Sequence, residues 1–70
     1  MHITFTKRID RDYGTARVSY WDVLNNGRVI GIAGHRQGPF GSWTFMPAHT
    51  KTIEGFPSKT KLMAALEGGL

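Results

Sequence analysis

The chain has no cysteine. No disulfide framework can staple it, and no thiolate can hold a metal. Acid is scarce: five Asp and Glu stand against nine Lys and Arg, a formal net charge of +4. The five acids (Asp10, Asp12, Asp22, Glu54 and Glu67) form no recognisable catalytic pair. Long apolar runs are missing too. None approaches the roughly 18 residues that a membrane helix needs, and Met1-His2-Ile3-Thr4-Phe5-Thr6 is too polar for a signal peptide. Length is also short, at 70 residues. That allows one domain, 1–70, with one thin core and no enclosed cleft. An enzyme is therefore not expected, and no cofactor is. His2, His35 and His49 lack zinc-site spacing, so no metal is expected either. Ser42 lacks the flanking glycines of a nucleophile elbow. These absences leave a small, basic, cytoplasmic binding module as the expectation.

What is present is β-prone sequence punctuated by nine glycines. Residues 2–9 alternate, with Ile3, Phe5 and Ile9 on one side and Thr4, Thr6 and Arg8 on the other. That period of two reads as a strand with one wet face. Asp10-Arg11-Asp12-Tyr13-Gly14-Thr15 reads as a polar loop. Residues 16–24 and 28–36 are rich in Val, Ile, Tyr and Trp, and Asn25-Asn26-Gly27 lies between them. Asn-Gly tolerates the two positive φ angles of a type I′ turn, a strong hairpin signal. In the simplest register Asn25 faces Arg28, Val23 pairs with Ile30, and Trp21 with Ile32. Residues 42–47 form the next strand, with Gly34 opposite Trp43 and Ile32 opposite Phe45. A one-residue slip would put Ile32 opposite Met46 and split the apolar faces. The first strand fits with Phe5 opposite Trp21 and Ile3 opposite Val23. A short fifth strand has room over Lys51–Glu54.

Pro57-Ser58 opens a helix over residues 58–67, with Ser58 as N-cap. Leu62, Met63 and Leu66 share one helical face, and Gly68-Gly69 ends the element. The predicted fold is α+β: an antiparallel meander of four strands, or five, covered on one face by the C-terminal helix. Trp21, Ile32 and Phe45 are expected inside.

The uncovered face would carry Thr4, Thr6, Arg8, Val18, Tyr20, Asp22, Leu24, Val29, Gly31, Ala33, His35, Thr44 and Met46. Its middle is more apolar than a wet face needs, which suits a contact surface, for a second copy in a homodimer among others. Two further features bear on function. Lys59 and Lys61 occupy the first helical turn, where the macrodipole disfavours cations and favours an anion such as a phosphate. The loop His35-Arg36-Gln37-Gly38-Pro39-Phe40-Gly41 offers a guanidinium and an aromatic wedge at a hairpin tip. Gly31-Ile32-Ala33-Gly34 matches a GxxG string, but that pattern clamps RNA only between helices. In a strand its glycines are expected to admit Asp22 and Trp43. Lys7, Arg8, Arg11 and Arg17 cluster near the first hairpin, diluted by Asp10 and Asp12.

From Trp43-Thr44-Phe45 to Phe56-Pro57-Ser58-Lys59-Thr60-Lys61-Leu62-Met63-Ala64-Ala65-Leu66 the chain resembles the ending of small sheet-plus-helix DNA-binding domains. These are the arm-type domain of phage tyrosine integrases and the plant ethylene-response domain. The resemblance implies a sheet packed on one helix, with the open sheet face entering the major groove. A similar pattern occurs in short phage accessory proteins of unknown role. Two functions follow as expectations. One is nucleic-acid binding, with contacts from Arg8, Arg17, Tyr20, Arg28, His35, Arg36, Phe40, Lys59 and Lys61. The other is a phage-type accessory role, in which the same face binds and inhibits or modulates a host protein.

Overall fold

The computed structural model describes residues 2–14, 16–37 and 42–68. Five strands follow in order: β1 (Ile3–Tyr13), β2 (Ala16–Asn25), β3 (Arg28–Gln37), β4 (Trp43–Pro47) and β5 (Glu54–Phe56). They form one open antiparallel sheet in the order β1-β2-β3-β4-β5, a meander, and α1 (Lys59–Glu67) follows. No helix among the described residues is long and apolar enough to cross a membrane.

The β2–β3 turn forms as its sequence dictates. Asn26 and Gly27 take φ of 52° and 82°, and Asn25 faces Arg28. One pair further on the register departs from the simple one. Leu24 pairs with Val29, but Val23 pairs with Gly31, so Ile30 is an extra residue on β3. A bulge of this kind reverses the faces of everything that follows it. Trp21 meets Ala33, and Asp22 meets Ile32. On the other side Ala33 meets Phe45, and Ile32 meets Met46. The slip that would have split the apolar faces does not split them, because the bulge has already turned β3 over.

The reason lies under Phe45, which is 1% exposed. A Cβ on Gly31 would lie 2.6 Å from Cζ of Phe45 and 2.5 Å from the Met46 carbonyl oxygen. The expected glycine neighbours were Asp22 and Trp43; the actual ones are Phe45 at Gly31 and Tyr20 with Thr44 at Gly34. Small residues, Gly31 and Ala33, make the floor on which the large ring lies. Ile32 is consequently half-buried on the uncovered face, and not in the core as its hydrophobicity suggested.

A second bulge interrupts β1. Lys7 pairs with Trp21 and Ile9 with Tyr20, which leaves Arg8 as the extra residue. Phe5 meets Val23, two positions from the expected Trp21, so its face is unchanged. Ile9 changes face and stands 48% exposed on the uncovered side. The strand then runs on through Asp10-Arg11-Asp12, where a loop was expected. Cross-strand partners explain this. Ser19 donates to Asp10 at 2.6 Å, and Arg17 lies 3.6 Å from Asp12. β5 also shifts, to Glu54–Phe56, which places Phe56 opposite Trp43 and against the core.

The helix begins at Ser58, whose Oγ accepts from the Lys61 N–H at 3.2 Å. Its backbone lies against β1, β4 and β5. Leu62 and Leu66 reach past these into the middle of the sheet and close the core with Val23, Ala33 and Phe45. Trp43 continues the core outward. Its ring stacks on Trp21 at 5.1 Å and on His35 at 4.5 Å.

Candidate nucleic-acid interface

The face opposite α1 is built by the two bulges. Past Arg8, the residues of β1 that point away from the helix are Ile9 and Arg11. Past Ile30, those of β3 are Ile32, Gly34 and Arg36. The register therefore lays out rows across the sheet. Arg11, Val18 and Arg36 form one row. Ile9, Tyr20, Gly34 and Thr44 form the next. Thr6, Asp22, Ile32 and Met46 form the third. Arg11 and Arg36 flank Val18 on either side, so their backbones stand about 10 Å apart, two strand spacings.

Charge is segregated by the same geometry. Arg8, Arg11 and Arg36 are exposed on this face. Among the described residues Asp22 is its only acid, and Arg8 holds it with Nη1 3.2 Å from Oδ1. Asp10 and Asp12 are turned to the helix side. There Lys7 lies 3.1 Å from Asp10, and Arg17 lies 4.0 Å from Asp10 and 3.6 Å from Asp12. The Ser19 hydroxyl, then Lys7, hold the Asp10 carboxyl below the ordinary aspartate range. Asp10 and Asp12 thus pair with Lys7 and Arg17 on the helix side, and leave Arg11 on the uncovered face with no acid beside it among the described residues.

Between the rows lies a hollow of about 280 Å³ lined by Arg8, Ile9, Arg11, Tyr20, Ile32 and Met46. Tyr20 leans across Gly34: a Cβ there would come within 3.3 Å of the Tyr20 ring and 2.9 Å of Thr44 Oγ1. Glycine at this position lets the ring lie on the sheet. The hollow has an apolar floor, one aromatic wall and two guanidinium groups at its rim.

The expected contact residues divide accordingly. Arg8, Tyr20 and Arg36 come together on the uncovered face. Arg17 lies on the helix side, engaged with Asp10 and Asp12. Arg28 sits at the β2–β3 turn, at the other end of the sheet from Arg11 and Arg36. His35 is corrected: the Ile30 bulge turns it to the covered side, half-buried and stacked on Trp43. Lys59 is on that side too, with Nζ 5.1 Å from the Phe5 ring centre and 5.9 Å from that of Trp43. Lys61 follows it on α1, exposed, behind the sheet. Phe40 and the tip of its loop lie outside the described residues. Arg11 was not among the expected contacts, because its flanking aspartates read as a loop. Alternating charge opposite Arg17, Val18 and Ser19 was the available signal for a strand. Among the described residues no three His, Asp or Glu side chains converge as a metal site would require.

No protein family, curated protein or solved structure matches this chain.

Proposed function

We propose that this chain is a small nucleic-acid-binding module that works through its uncovered sheet face. One observation carries the reading: Arg8, Arg11 and Arg36 surround Tyr20 on a face whose only described acid is already paired to Arg8. Exposed arginines suit phosphates, which accept bidentate hydrogen bonds from the guanidinium fork. An aromatic ring among them offers a surface on which a base can stack. The net charge of +4 acts in the same sense at long range. The lysines of α1 are not needed, since they lie behind the sheet.

The test is a titration of labelled single-stranded and duplex DNA and of RNA at about 50 and 200 mM salt. Each neutralised phosphate releases counterion, so affinity should fall steeply between these two conditions. Arg11→Ala and Arg36→Ala should each weaken binding and lower the salt slope by about one contact. Lys61→Ala should change neither. Absence of binding to every nucleic acid at low salt refutes the reading.

A second reading is favoured by a separate observation. Ile9 and Val29 on this face are 48% and 49% exposed. A phage-type accessory protein that docks on a host protein would bury them. In that case the Ile9→Asp variant should abolish partner binding, while the arginine variants change mainly its rate of association.

A further inference from the structure

We propose that the hollow beside Tyr20 receives one unstacked base, so that the ligand is a single-stranded nucleic acid and not a duplex. This rests on the nucleic-acid reading of the face and narrows it. The shape argues first. Reading a duplex groove takes an element that protrudes into it, such as a helix, a two-stranded ribbon or a convex sheet face. At Tyr20 the described surface is concave instead, and a duplex laid on it could offer only phosphates. A single strand has bases free to turn outward and stack on protein rings.

Size and lining argue next. A volume of about 280 Å³ falls just below the range of about 300–1,000 Å³ typical of drug-sized ligand pockets. It suits one planar ring system. Ile9, Ile32, Met46 and the Tyr20 ring are apolar surface for the faces of a base, which has π character whatever its identity. Arg8 is held at the rim by Asp22, and this ion pair orients its plane. Arg11 has no ion pair among the described residues. With Arg36 two strands away, it is placed for the phosphates that flank an inserted base. Complementarity is thus double: apolar faces for the ring, and cations on both sides for the backbone.

The experiment compares three ligands on the unaltered chain by fluorescence anisotropy at one low salt concentration. They are a labelled single strand of about twelve nucleotides, within usual site sizes, the same strand annealed to its complement, and an abasic strand of equal length. The abasic strand keeps the phosphates and removes the rings. The single strand, as DNA or as RNA, should bind about ten- to a hundredfold more tightly than the abasic strand, the range of one base–aromatic stack. It should also bind more tightly than the duplex. Tyr20→Leu should bring the single strand close to the abasic level, while Tyr20→Phe keeps the advantage. Equal affinity for single, abasic and duplex ligands overturns the base-in-hollow proposal and leaves phosphate binding standing. No binding of any ligand overturns both.

Discussion

Substituting Gly31 by Ala separates the bulged register from the simple one by the sign of its effect. Were Val23 paired with Ile30, Gly31 would point away from the helix, where a methyl group meets no core. Gly→Ala at such a site stabilises by about 0.4–1 kcal/mol, because alanine has less freedom to lose on folding. In the bulged register the new Cβ lies 2.6 Å from Cζ of Phe45 and 2.5 Å from the Met46 carbonyl oxygen. Ordinary carbon contacts are about 3.5–4.0 Å, so both neighbours must retreat by roughly 1 Å. Phe45 is buried and cannot swing aside, and the carbonyl belongs to the adjoining strand. Overpacking of this kind costs about 1–3 kcal/mol. After the unfolded-state gain, a net loss of about 1–2 kcal/mol remains. At about 4–8 °C per kcal/mol for a domain of this size, Tm should fall by roughly 5–15 °C. Thermal unfolding followed by far-UV circular dichroism measures it. Gly55→Ala is the control, since nothing lies within 4 Å of a Cβ there, and it should raise Tm by a few degrees. An unchanged or raised Tm for Gly31→Ala refutes the bulge at Ile30.

Phe45→Ala empties the centre of the core and should cost about 3–5 kcal/mol, much of the stability a domain this small has; a dispersed native-like amide spectrum for that variant contradicts the central role given to Phe45. Asp10, held by Ser19 and Lys7 below its ordinary value of 3.8, contributes stability that is present above that value and lost as pH falls through its lower folded value. Asp10→Asn should therefore flatten the fall of Tm below about pH 4, and an unaltered acid limb rejects the pairing. On the uncovered face, Arg11→Ala and Arg36→Ala should reduce the salt slope of nucleic-acid binding, and Tyr20→Leu should remove the preference for strands that carry bases.

Much of the fold was legible because local chemistry had one solution at those points. Asn26-Gly27 can only turn tightly, Ser58 can only cap, and the spacing of Leu62 and Leu66 can only face the sheet. Strand order followed from short connections. Register did not follow, because hydrophobicity was the guide and it misled at Ile30–Ile32. Ile32 is apolar enough to be expected inside, yet the core needs its small neighbours, Gly31 and Ala33. The signal lies in the small residues themselves: Ala33 sits between Trp21 and Phe45, and Gly31 lies under the Phe45 ring, which requires a floor of small residues. The site suffered from the same error. His35 was assigned to the uncovered face with Gly31 and Ala33, and the bulge carried all three away together.

The two bulges act as one device, and that links the core to the candidate site. A two-residue period assigns each side chain to a face with no choice, so a strand with mixed requirements must break its period somewhere. β1 needs Ile3 and Phe5 against the helix, then Asp10 against Ser19; these positions have opposite parity, and Arg8 absorbs the difference. β3 needs Gly31 beneath Phe45 while keeping the turn at Asn26-Gly27, and Ile30 absorbs that. Each correction made for the covered face has a consequence on the other. The first delivers Ile9 and Arg11 to it, and the second delivers Ile32, Gly34 and Arg36. Together with Tyr20 these account for most of the hollow and its cationic margin. The candidate interface is thus a by-product of packing: none of its residues can change face without undoing a register that the core enforces.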